Sequence, residues 1–171
     1  MITDTIKFKP NFAKKDSLTY TAATIDVDGV SPVRLWRNLC NIAIWPRINS
    51  NIVDIQPLDP GDSDPHLFDK MQFNYDMASG EHVAAQVIYY LPPKDDRAGR
   101  LAYQATILRN GKEVNQMIVE VLVGVPDHKG KYTLDMAISL RDDENMITEI
   151  NSPSTMQTVL TNLVAWSQKH H

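Results

Sequence analysis

Apolar and polar positions follow two different periods along this chain. Near its end, Met156, Val159, Leu160, Leu163 and Val164 recur at the i, i+3, i+4, i+7, i+8 spacing of one helical face. Ser152-Pro153 ahead of them is a start signal, because a serine oxygen accepts from first-turn amides and proline fits the first helical position. The pattern predicts a helix from Ser152 to Lys169, about 27 Å long. Nearly everything before it alternates with period two, so the helix has a sheet on which to bury its stripe.

The first predicted strand, Leu18 to Asp28, ends at the turn signal Asp28-Gly29. Ser31-Pro32 then starts a short helix carrying Val33, Leu35, Trp36, Leu39 and Cys40 at helical spacing. Pro46 stops it, and a second short helical piece lies through Asn41 to Trp45 or just past Pro46. Further strands follow over 52–58, 67–77, 82–92, 100–109, 112–125 and 131–141. They are joined by hairpin-sized turns, of which Asn110-Gly111 is the sharpest signal. Short turns between sequential strands make an antiparallel meander. The expected class is α+β: a curved seven-stranded antiparallel sheet around a long C-terminal helix, with two short helices after strand one.

Alternation assigns the faces. Met71, Phe73 and Tyr75 share one side of their strand, and Val83, Ala85, Val87, Tyr89 and Leu91 share one side of the next. Leu101, Tyr103, Ala105 and Ile107 follow, then Met117, Val119, Val121 and Val123, then Tyr132, Leu134, Met136, Ile138 and Leu140. The opposite parity carries Lys70, Gln72, Gln86, Gln104, Gln116, Glu120 and Asp135, so one face reads as apolar and the other as wet. Of six tyrosines, Tyr75, Tyr89, Tyr103 and Tyr132 fall on the inward parity. A solid core would more simply use Phe or Leu there, so inward hydroxyls favour a lined cavity, the alternative being that each reaches a backbone carbonyl or the sheet rim. The candidate lining is Trp45, Met71, Phe73, Tyr75, Val87, Tyr89, Tyr103, Ile107, Asn115, Met117, Val119, Tyr132, Met136 and Ile138, roofed by Met156, Leu160 and Leu163.

Composition narrows the partners. A formal charge of -4 without a basic block gives no electrostatic footprint for nucleic acid. No run of apolar residues is long enough to span a bilayer and the start lacks a signal-peptide core, so a cytoplasmic protein is the default. The one cysteine, Cys40, reads as a small buried hydrophobe. Residues 1–16 read as an extension and 17–171 as one domain, with His170 and His171 set aside. The acids of Asp59-Pro60-Gly61-Asp62-Ser63-Asp64-Pro65, next to His66, lack a calcium-loop spacing and read as a turn. Pro92-Pro93-Lys94-Asp95-Asp96-Arg97 is a candidate rim or lid, and equally a solvated connection. Nucleophile elbow, phosphate loop, dinucleotide fingerprint and paired helical metal ligands are all missing, and His66, His82 and His128 fall in loops or at strand ends. No cofactor or metal is expected.

The segment Val33-Arg34-Leu35-Trp36-Arg37-Asn38-Leu39, then Ile42-Ala43-Ile44-Trp45-Pro46, in this order of elements, resembles the SRPBCC superfamily of helix-grip proteins. That superfamily includes START lipid-binding domains, birch-pollen-type plant allergens and polyketide cyclase/dehydratase proteins. The likeness covers roughly residues 18–169, with Trp36 and Trp45-Pro46 at the matching positions. It implies a hydrophobic cavity between sheet and C-terminal helix, and no universal catalytic residue. The first functional reading is a binder of a lipid, aromatic or polyketide-like molecule. The alternative is a cyclase/aromatase or dehydratase using inward phenols, with Asn115 and Arg109 near strand ends. A protein-partner module would need an exposed apolar patch, which the polar outward parity does not offer.

Overall fold

The computed structural model describes residues 19–58, 64–141 and 152–169. The extension over 1–16, most of the acidic loop at 59–65 and the two C-terminal histidines lie outside the described residues. The elements are β1 (Thr19–Val27), α1 (Pro32–Leu39), a 3-10 turn (Ile42–Ile44), α2 (Trp45–Ile48), β2 (Ile52–Pro57), β3 (Gln72–Met77), β4 (His82–Leu91), β5 (Gly99–Arg109), β6 (Lys112–Val123), β7 (Tyr132–Leu140) and α3 (Pro153–Lys169). The seven strands form one antiparallel sheet in the order β1-β7-β6-β5-β4-β3-β2, so the first strand pairs with the last. This is the expected helix-grip arrangement.

Local chemistry explains the boundaries. The Ser31 hydroxyl accepts from the Arg34 amide at the start of α1, and the Ser152 hydroxyl accepts from the Thr155 amide at the start of α3. Asn110 and Gly111 both take positive φ, 54° and 77°, as the tight β5–β6 hairpin requires. In place of the one further helical piece predicted on either side of Pro46 there are two, the 3-10 turn before Pro46 and α2 around it. The helices meet the concave face: Trp36 of α1 packs on Tyr90, Trp45 of α2 packs edge-on against Phe73, and Met156, Leu160 and Leu163 of α3 are buried.

The structure departs from the expected pattern in several places. The strand expected over 67–77 begins only at Gln72, because a turn over Phe68–Met71 puts Lys70 at φ 68°. In β4 the register shifts between Val87, opposite Tyr103, and Tyr89, opposite Ala102; Ile88 is the extra residue of a bulge. The parity therefore reverses: Tyr89 faces outward, 42 % exposed beneath the Arg100 guanidinium, and Tyr90 faces inward. A second shift pairs Ile107 with Asn115 and Leu108 with Glu113, leaving Val114 as the extra residue. Val33, placed on the buried side of the first helix, is 63 % exposed. The convex face is not uniformly wet either: Ala102, Ile118, Glu120, Asp135, Ala137 and Ser139 are all buried there. Its charges find lateral partners, Glu120 with Arg100 and Asp135 with the Thr24 hydroxyl at 2.5 Å.

The start of β5 is the tightest backbone approach. A Cβ on Gly99 would stand 2.8 Å from Pro93 Cδ and 2.9 Å from Trp36 Cε3, both held in buried side chains. Gly99→Ala should therefore destabilise the fold by about 1–3 kcal/mol through overpacking, read as a lowered midpoint of urea unfolding at unchanged slope.

Candidate functional site

Two adjoining chambers lie between the concave face and α3. The first, about 60 Å³, is lined by Leu39, Trp45, Ile48, Asn49, Ile52, Leu101, Tyr103, Val119, Val121, Met136, Val159, Leu160 and Leu163. The second, about 30 Å³, adds Tyr75, Met77, Met117, Ile138, Thr155 and Met156. Asn49, Ile52, Tyr103, Val119, Met136 and Val159 border both, so the two form one cleft beneath the helix. Outside the seam between α2 and α3 runs a polar groove of about 380 Å³ with Arg47, Asn51, Thr158 and Asn162, sharing Asn49, Thr155 and Val159 with the chambers.

An aromatic cluster forms one wall. The Trp45 ring stands 5.6 Å from Phe73 and 5.9 Å from Tyr103, and its Nε1 donates to the Leu39 carbonyl at 2.9 Å, which fixes the indole. Phe73 meets Tyr103 edge-on at 5.3 Å. The Tyr75 and Tyr103 hydroxyls hydrogen-bond each other at 3.1 Å, and both residues are buried. Burial pushes the Tyr103 phenol up to about 12 and the Tyr75 phenol well above its ordinary value, because no solvent is there to stabilise a phenolate.

Of the residues expected from the sequence, Trp45, Tyr75, Tyr103, Met117, Val119, Met136, Ile138, Met156, Leu160 and Leu163 border the chambers. Met71, Phe73, Val87, Ile107 and Asn115 are buried in the surrounding core and do not border them. Asn115 Oδ1 accepts from the Gln116 amide, so it braces the second bulge. Tyr132 is buried but its hydroxyl donates to the Val30 carbonyl at 2.7 Å, the backbone solution to an inward phenol, and Tyr89 lies on the other face. Arg109 turns away to Glu81 at 2.7 Å. The 92–97 connection borders neither chamber: Arg97 Nη2 donates to the Pro92 carbonyl and Pro93 packs toward Gly99.

Alternation already placed Leu101 and Val121 inward without marking them as lining. Asn49, Ile48 and Ile52 carry no periodic signal, since they reach the chambers from a helix end, a turn and the first residue of a strand. Val159 sits on the predicted helical stripe, at its half-buried edge.

The electrostatics of the cleft are quiet. Among the described residues no charged side chain borders either chamber, and no group of three His, Cys, Asp or Glu converges to hold a metal. The perturbed carboxylates lie elsewhere. Glu81 sits below the usual range because the Ser79 hydroxyl and Arg109 hydrogen-bond its charged form, and Glu120 sits above it because burial outweighs Arg100. Burial pushes the Cys40 thiol up to about 12, so it packs as an inert side chain.

The space is narrow. Small-molecule sites usually run to ~300–1,000 Å³, so occupancy by anything larger than a few atoms requires the walls to part. Met117, Met136 and Met156 supply unbranched side chains that repack readily. Helix α3 is held unevenly. Toward its C-terminal end Asn38 Nδ2 donates to Ser167 Oγ and Gln168 Nε2 to the Asp28 carbonyl, both at 3.0 Å. Across the seam the Asn162 Nδ2 bond to the Ile48 carbonyl, also 3.0 Å, joins α3 to α2.

No family model matches the chain, and no curated protein matches it in sequence. Solved structures do. A hypothetical protein of Helicobacter pylori superposes with a TM-score of 0.79 at 19% identity over 95% of each chain. A protein of Mesorhizobium loti gives 0.59 at 14% identity over 88% of this chain and 98% of that one. Norcoclaurine synthase of Thalictrum flavum, in complex with dopamine and hydroxybenzaldehyde, gives 0.58 at 10% identity over 97% and 96%. These likenesses carry the fold, a helix-grip sheet closed by its last helix.

The raised phenols make stability depend on alkaline pH. Above the ordinary value of 10.0 the unfolded chain releases protons that Tyr75 and Tyr103 keep in the folded state, so stability falls as pH rises through that window. The drop in urea midpoint between about pH 9 and about pH 11 should be smaller in Tyr75→Phe/Tyr103→Phe than in the parent chain.

Proposed function

We propose that this chain binds a hydrophobic small molecule between its sheet and α3, in the manner of the SRPBCC superfamily. The observation that carries the reading is the cleft itself: a continuous, mainly apolar space under a helix, with one buried pair of phenols facing it. Solid helix-on-sheet packing leaves no such space. The fold neighbour that holds dopamine and hydroxybenzaldehyde supports ligands of the single-ring class.

The enzymatic reading, a cyclisation or dehydration of a polyketide-like substrate, has weaker support. Enolisation needs a proton acceptor, and phenols whose ionisation is pushed upward by burial act as donors at neutral pH. Neither chamber is bordered by a described carboxylate or imidazole that would take the proton. Binding needs only the walls that are present.

Val159 borders both chambers and the outer groove while being only half-buried. Val159→Trp should therefore plug the cleft without emptying the core. With Nile red as probe, the parent chain should show saturable one-to-one binding with a blue-shifted emission, and the variant should weaken it by about tenfold or more. Non-saturating fluorescence, or equal binding by the variant, would place the dye elsewhere on the surface and overturn the reading.

A further inference from the structure

The Tyr75 and Tyr103 hydroxyls carry two protons between them and share one hydrogen bond, 3.1 Å long. Whichever phenol donates to the other, the acceptor phenol keeps its own proton, and among the described residues that proton meets no acceptor. Both residues are more than nine-tenths buried, at 3% and 7% exposure, and both border the second chamber. By contrast Tyr132, the other buried phenol, donates to a carbonyl of its own chain. A buried donor without a partner costs free energy; among the described residues the Trp36 indole N–H is also unpartnered, but only the phenol pair borders the cleft, where an acceptor from outside the chain can reach it.

The rest of the lining restricts that acceptor. A carboxylate or phosphate would be buried without a counter-charge, since no described cation borders the chambers: Arg109 is paired with Glu81 and Arg47 lies in the outer groove. An ammonium would likewise be buried without a counter-charge, since no described carboxylate borders the chambers. An oxygen that brings no proton of its own, with an apolar body, satisfies the site and leaves nothing new unpaired.

We propose that the ligand is an uncharged carbonyl compound whose oxygen accepts the free proton of the Tyr75–Tyr103 pair while its apolar body lies along Val119, Met136 and Leu160. The proposal rests on the binding reading above. Each phenol orients the other, and this gives the cleft a polar end. Either phenol alone still has one proton to give, so the two are partly redundant.

Acetophenone and cumene test this, because the second replaces the carbonyl oxygen of the first by a methyl group at nearly the same shape. Affinities for both are measured by calorimetry in the parent chain, in Tyr75→Phe, in Tyr103→Phe and in the double variant. The double variant should lose about fivefold to tenfold in acetophenone affinity with cumene affinity unchanged, and each single variant should fall between. The infrared carbonyl stretch of bound acetophenone should lie lower in the parent chain than in the double variant, the signature of a hydrogen bond made to the oxygen. Retained cumene binding reports that the cleft is intact in each variant. If the double variant binds acetophenone as the parent does, or loses both compounds equally, the carbonyl assignment is wrong while the cleft stands. If the parent chain binds neither, the binding reading fails and this one with it.

Discussion

The structure depends on burying one narrow apolar stripe. Helix α3 presents Met156, Leu160 and Leu163 as fully buried side chains, while most of its remaining surface meets solvent. The stripe lies in the trough of the curved sheet, where all three side chains border the cleft. The trough closes because β1 leaves the sequence order of the meander and pairs with β7, which brings α1 and the turn after β1 against the last turns of α3. The short helices then fill the open end, Trp36 against Tyr90 and Trp45 against the aromatic floor. The cleft is what remains where this filling stops short.

The fold was legible because its signals are repeated and local. Ser-Pro at both helix starts, Asn110-Gly111 at the sharpest hairpin and long runs of period two each predict one element independently of the others. The cleft was less legible, because a face assignment propagates along a strand and a single extra residue reverses it. Ile88 moved Tyr89 to the convex face and brought Tyr90 inward, and Val114 did the same kind of service in β6 by setting Asn115 opposite Ile107. Alternation carries no mark of a bulge when the inserted residue is itself apolar. Tyr132 illustrates a different limit: its inward parity was right, yet the Val30 carbonyl in the turn after β1 claims its hydroxyl, a tertiary contact with no local signature.

Polar groups in the interior divide by how they are answered. Trp45 Nε1 at the cleft's border, and Tyr132 and Asn115 in the surrounding core, are each tied to backbone, which turns polarity into rigidity. Asp135 and Glu120 are tied sideways to Thr24 and Arg100 on the convex face, well away from the apolar space. The phenol pair is answered only by itself. Among the described residues the interior ties the buried Tyr132 phenol to a carbonyl but leaves the Tyr75–Tyr103 pair with one proton to give, as it leaves the buried Trp36 indole N–H without a partner.

The pairing of β1 with β7 also sets a schedule. Thr24 and Asp135, bonded across that pair, are 111 residues apart in sequence. Strands β2 to β6 are joined by neighbours and can zip as each leaves the ribosome, but the trough stays open until β7 has been synthesised, and it gains its roof only with α3, which follows β7. During that interval the nascent chain displays Phe73, Tyr75 and Tyr103 to its surroundings. Because β1 waits for β7 and the apolar face waits for α3, the contacts that complete this sheet are long-range in sequence, which slows folding and lengthens the exposure of that face compared with the meander alone.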